Sequence, residues 1–113
     1  MLEKKNRLSK NKEFDKIWQK GYSGFDGLLG VKVISNTLNI NRFGILVGLK
    51  VDKKAVGRNY LKRILRETIR SLSPSLKKGF DIVIISLPAA RNKKITELKK
   101  SLEDNFKKVR IWQ

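Results

Sequence analysis

The chain has 113 residues, with 27 lysines and arginines against 10 aspartates and glutamates, a formal charge of +17. That length suits one domain over 1–113, its 40% apolar content suits one modest core, and its charge repels itself unless a polyanion, most commonly nucleic acid, neutralises it. With no cysteine and no histidine, a disulfide framework, a thiolate metal site and the usual general base near neutral pH are all excluded.

Residues 1–8 are polar and basic and read as a loosely ordered arm. They lead into no apolar segment of signal-peptide type, and the longest unbroken apolar run, 82–85, is far too short to span a bilayer. The reading is a cytoplasmic protein without a membrane partner. Ser9 or Asn11 caps a first helix that Gly21 ends; within it Phe14, Ile17 and Trp18 recur at i, i+3, i+4 and make a mostly aromatic face. Gly21, Gly24, Gly27 and Gly30, spaced by three, read as a flexible loop entering a strand, not as a phosphate-binding loop.

A strand is predicted over 28–35 and a turn over 36–41. A second strand over 43–51 places Ile45, Val47, Leu49 and Val51 on one face. A basic helix follows, stopped by Ser73-Pro74-Ser75. The run 81–87 is almost wholly apolar, as in a central strand covered by helices, and Pro88 ends it. A last helix over 93–109 puts Ile95, Leu98, Leu102, Phe106 and Val109 on one face. Its other side mixes Glu97, Glu103 and Asp104 with lysines, as a solvated face does. The order is α-β-β-α-β-α, with the first strand broken or bent and the basic helix as a crossover between parallel neighbours. The predicted fold is α/β, a two-layer sandwich of helices on a small central sheet.

The stretch 53–70 says most about function. It carries seven basic residues and one acidic one. From Asn59 onward Leu61, Ile64, Leu65, Thr68, Ile69 and Leu72 fall on one helical face. Arg58, Lys62, Arg66 and Arg70 sit four apart in a stripe beside it, widened by Arg63. A row of cations matches a row of phosphates, and arginine adds a planar fork suited to them. Asn59 adds an amide to the cluster, either for RNA or for the backbone at a helix start. Phe14 and Trp18 are candidate stacking platforms for unpaired bases, or core residues; Tyr22 and Tyr60 are weaker candidates. The ten acids are scattered and show no metal-ligand spacing with histidine or cysteine. The residues leave open a carboxylate-only magnesium site assembled in three dimensions, and they show no protein catalytic residue or small-molecule site.

The segment Arg58-Asn59-Tyr60-Leu61-Lys62-Arg63-Ile64-Leu65-Arg66-Glu67 resembles the Arg-Asn-x-x-Lys-Arg-x-x-Arg-Glu signature of the bacterial ribonuclease P protein subunit. The opening, Arg7-Leu8-Ser9-Lys10-Asn11-Lys12-Glu13-Phe14, with Trp18 and Gly21 after it, is similar to the family's opening. Val47 to Lys54 is similar to its second-strand segment. Three features depart from the family pattern. Tyr60 stands where many members carry a third basic residue. Lys53-Lys54 runs into Ala55-Val56 without the usual short glycine-containing insertion. Lys32 aligns where relatives often carry an aromatic residue.

The resemblance implies a small subunit of a ribonucleoprotein that removes the 5′ leader of precursor tRNA. It implies that the RNA subunit holds the Mg²⁺ ions and performs the hydrolysis. It further implies a left-handed crossover at the basic helix, an exception to the usual rule. Lys53, Lys54, Arg58, Asn59, Lys62, Arg63, Arg66 and Arg70 would face the catalytic RNA. A cleft between the first helix and the sheet, lined by Phe14, Trp18 and Lys32 with Lys12 close by, would take the single-stranded leader. The alternative is a non-catalytic structural RNA-binding protein of ribosomal type.

Overall fold

The computed structural model describes residues 6–8 and 11–113. Three helices and four strands follow one another as α1 (Asn11–Lys20), β1 (Tyr22–Phe25), β2 (Leu29–Ser35), β3 (Arg42–Leu46), α2 (Ala55–Leu72), β4 (Phe80–Ser86) and α3 (Ile95–Lys108). The strands form one mixed sheet in the order β1-β2-β4-β3. Strand β4 lies antiparallel to β2 and parallel to β3, so α2 is the expected crossover between parallel neighbours.

The predicted first strand is a hairpin of two. Residues 22–25, read from the sequence as a flexible glycine loop, pair with 30–33. Asp26 closes the turn: its Oδ1 accepts the Leu28 and Leu29 N–H groups, both at 2.9 Å. The carboxyl is held below its ordinary pKa. Burial pushes it up, but the bonds from Leu29, Ser101 and Leu28 and the charge of Lys108 outweigh burial.

The predicted second strand stops at Leu46 instead of reaching Val51. A turn takes over, in which the Val51 N–H donates to the Gly48 carbonyl at 3.1 Å. Val47 and Val51 are buried on either side of it, while Leu49, expected on the same face, is exposed. The loose-arm reading also fails for residues 6–8. Asn6 Nδ2 donates to the Asn41 carbonyl (2.8 Å), Arg7 bridges to Phe43 and Leu8 is buried. The Ser9 cap and residues 1–5 lie outside the described residues.

Alternation along the strands divides the core. Ile82 and Ile84 of β4, with Leu29, Val31 and Val33 of β2, meet Leu61, Leu65 and Ile69 of α2 and Leu98, Leu102 and Phe106 of α3. Val83 faces the other way and packs with Leu8 and Ile17, with Phe14, Ile34 and Ile85 around them. The predicted apolar faces of α2 and α3 are therefore the buried ones, except that Ile95 is exposed. Helices α2 and α3 seal one face of the sheet, and α1 forms a partial layer on the second.

Candidate nucleic-acid interface

Helix α1 places Glu13 and Phe14 against β3 and Trp18 against β2. At the β3 end Arg42 donates to both Asp81 oxygens (Nε to Oδ1 2.8 Å, Nη2 to Oδ2 2.7 Å) and to Glu13 of α1. The bond to Asp81, reinforced by the charges of Asp81 and Glu13, raises the Arg42 pKa above its ordinary value in spite of burial. The next residue of α1, Phe14, packs its ring onto Gly44. A Cβ there would lie 2.7 Å from the ring, so a side chain would displace it. At the far end Lys32 Nζ sits 5.1 Å from the centre of the Trp18 ring and donates to the Trp18 carbonyl at 3.4 Å.

Strand register shows what α1 leaves open. Phe25, Gly30, Ile85 and Leu46 form one transverse row across all four strands, next to the row Ser23, Lys32, Val83 and Gly44 on which Phe14 and Trp18 rest. The Phe25 ring lies against Gly30, where a side chain would collide with it. Phe25 remains 45% exposed and Trp18 40%, and Leu46 is exposed as well. The cleft thus has an apolar floor at Phe25, Ile85 and Leu46 and an aromatic wall at Phe14 and Trp18, with one half-buried cation, Lys32. Flat apolar surface beside a cation suits stacked bases and their phosphates. Lys12 is not brought to this cleft. It is exposed and lies roughly 160° around α1 from Phe14. Phe25 and Leu46 were missed because β1 looked like a loop and because Leu46 falls on the polar side of the expected alternation.

The cationic stripe borders the same edge. Lys62 and Arg66 are half-buried and, with Arg7, Phe14 and Gly44, line a depression of about 200 Å³. The stripe of α2 and the cleft of α1 are therefore continuous around the β3 edge. Arg70 is exposed in the last turn, where the helix dipole favours a cation. At the other end Lys53 and Lys54 are exposed, the first turn holds no acid, and Lys54 precedes it without a side-chain cap. Cations therefore add to the positive end of the dipole, which suits an incoming anion.

Arg58 is partly committed inside the protein. Its Nη1 donates to the carbonyls of Asp52 (3.1 Å) and Lys53 (2.9 Å), which ties the short loop to the helix. Asn59 lies a full turn inside α2 rather than at its start, is exposed, and makes no side-chain hydrogen bond among the described residues. Arg63 stands apart from the stripe, on the flank of α2 that faces α3, beside Tyr60 and Lys99.

Among the described residues no three acids converge. Glu13 and Asp81 hold Arg42, and Asp26 holds the β1–β2 turn and accepts the Ser101 hydroxyl at 2.6 Å. No helix is long and apolar enough to cross a membrane among the described residues.

Comparison with known proteins identifies the family and the fold. The family model described as Ribonuclease P matches residues 2–110. The chain is 40% identical over 108 residues to the ribonuclease P protein component of Clostridium acetobutylicum, covering 94% of this chain and 90% of the relative. It is 36% identical over 110 residues to that of Clostridium botulinum strain 657, covering 96% and 98%. Among solved structures, the RNase P protein of Staphylococcus aureus superposes with a TM-score of 0.86 at 28% identity, covering 96% of this chain and 98% of that one. The protein from Thermotoga maritima gives 0.79 at 30% identity, covering 87% and 92%. In sequence and in fold alike, the chain belongs to the family of bacterial ribonuclease P protein subunits.

Proposed function

We propose that this ribonuclease P subunit acts as an electrostatic and shape adaptor between two RNAs. Lys62, Arg66 and Arg70, with Lys53, Lys54, Arg58, Asn59 and Arg63, bind the catalytic RNA, mostly through its phosphates. The cleft takes the unpaired 5′ leader of precursor tRNA, with bases on Trp18 and Phe14 and a phosphate on Lys32. Hydrolysis and its Mg²⁺ ions belong to the RNA subunit, and the complex works in the cytoplasm. The observation that carries this reading is the shared depression at the β3 edge, where Lys62 and Arg66 meet Phe14 and Arg7. One RNA held on the stripe and another in the cleft would lie side by side.

The test is cleavage of 5′-labelled precursor tRNA at low, physiological Mg²⁺. This protein alone, a bacterial ribonuclease P RNA alone, and the two together are compared. Cleavage at the mature 5′ end only in the mixture is the expected result. Cleavage by the protein alone would overturn the adaptor reading, and no cleavage with tight RNA binding would leave a structural RNA-binding role. Neutralising five to eight phosphates should give a slope of log affinity against log salt of roughly −4 to −7; a slope near zero would refute the phosphate stripe.

A further inference from the structure

We propose that the groove between α2 and the 88–95 segment is a second RNA-binding site, one that takes an unpaired nucleotide. The base lies against Tyr60 and Ile95, and the flanking phosphates meet Arg91, Lys93 and Lys94. This rests on the reading of the chain as a partner of structured RNA and adds a surface outside the stripe and the cleft.

The groove is about 380 Å³ in volume and joins a hollow of about 350 Å³ between α2 and α3, in the size range of small-ligand clefts. Its floor is apolar and uncovered. Tyr60 is 60% exposed and Ile95 57%, although Ile95 belongs to the row of α3 that is otherwise buried. Its rim is cationic: Arg91, Lys93 and Lys94 border the groove, and Arg63 and Lys99 border the adjoining hollow. The carboxylate in the groove, Asp52, is turned to the Lys54 N–H (3.0 Å) and to Arg91 (3.7 Å). The first turn of α2, at Gly57, and the start of α3, at Ile95, both border it, so two positive dipole ends add to the charge.

Charge selects the occupant. A second copy of a chain carrying +17 would be repelled by this rim, and an aromatic ring set among cations matches a base with its phosphates. Tyr60 lies roughly 120–160° around α2 from Arg66 and Lys62, so an RNA on the stripe does not reach it without wrapping the helix. Tyrosine at this point in the signature therefore moves recognition from a point charge to a stacking surface.

The test is binding of the full chain to a bacterial ribonuclease P RNA over a range of salt, comparing Tyr60→Leu, Tyr60→Phe, the pair Lys93→Gln and Lys94→Gln, and Arg66→Ala. Tyr60→Leu is expected to weaken binding about fivefold to a hundredfold, with Tyr60→Phe restoring it. The lysine pair should reduce the salt slope by about 1–2. Unchanged binding for Tyr60→Leu, with Arg66→Ala still weakened, would overturn the groove and leave the adaptor function intact. No effect from either variant would overturn the RNA reading of α2 as a whole. Equal losses for Tyr60→Leu and Tyr60→Phe would refute stacking. If Tyr60→Leu instead changes only the sedimentation of the RNA-free protein, the groove is a protein contact and the proposal fails. Tyr60 is exposed, and unchanged urea midpoints are expected to show that the variants fold.

Discussion

The two faces of the central sheet are built from alternate residues of the same strands and have opposite fates. Ile82 and Ile84 of β4 vanish beneath α2 and α3, whereas Val83 and Ile85 meet a single ten-residue helix. That helix spans too little of the sheet to cover it, and the row Phe25, Ile85 and Leu46 stays open beside it. Stability comes mainly from the sealed face, and recognition is available only where the cover is incomplete. The α1 side is accordingly fastened by a small apolar cluster of Leu8, Ile17 and Val83, by the bonds of Arg42 and by the contact of Phe14 with Gly44, and Trp18 in its aromatic wall stays accessible.

The largest expected effect breaks that fastening. Arg42→Ala takes away the cation that Glu13 shares with Asp81, which keeps the Asn36 amide (2.9 Å), and losing one partner of a largely buried ion pair costs about 3–5 kcal/mol. Urea unfolding measures it; a loss under about 1 kcal/mol would mean that α1 is held by apolar contacts alone.

A smaller effect separates recognition from stability. Trp18→Ala should weaken precursor tRNA binding in the reconstituted enzyme by about 1–3 kcal/mol, with mature tRNA little affected. Folding should change by less than about 1 kcal/mol, because Trp18 is a surface residue. Equal weakening of both tRNAs would mean that the open face does not read the leader.

The smallest effect concerns the β1–β2 turn that carries Phe25. The Asp26 pKa is lowered by folding, so its contribution is fully present above about pH 4, the unfolded value, and is lost as pH falls through the lower folded one. Urea midpoints at pH 6 and pH 3 should converge more for Asp26→Asn than for the parent chain. An identical acid response in both would remove Asp26 as the source.

Much of this was legible because it depends on period. The buried face of α2 was readable as i, i+3, i+4 spacing, and β4 as an unbroken apolar run. The signature around Arg58 points to the family through residues at most nine positions apart. Where local rules failed, a distant contact had decided. The glycines of 21–30 look flexible by propensity, yet pairing with β2 and the Asp26 turn make 22–25 a strand. Leu49 continues an alternation that the Gly48 turn has already ended. Glu13 and Asp81 looked like scattered acids until the fold closed both on Arg42, which lies 29 residues from one and 39 from the other.

By itself, then, the sequence determined the charge, the amphipathic helices, the central strand and the family. Each of these is encoded in composition or in residues a few positions apart, where helix and strand periods are fixed by backbone geometry. The tertiary structure decided which cations are free and which are struts, as with Arg58, and which aromatic residues remain exposed, as with Phe25 and Trp18. It also joined the stripe to the cleft at the β3 edge. Those outcomes depend on which surfaces run out of cover when helices of fixed length pack on a sheet, and no local stretch of chain carries that information.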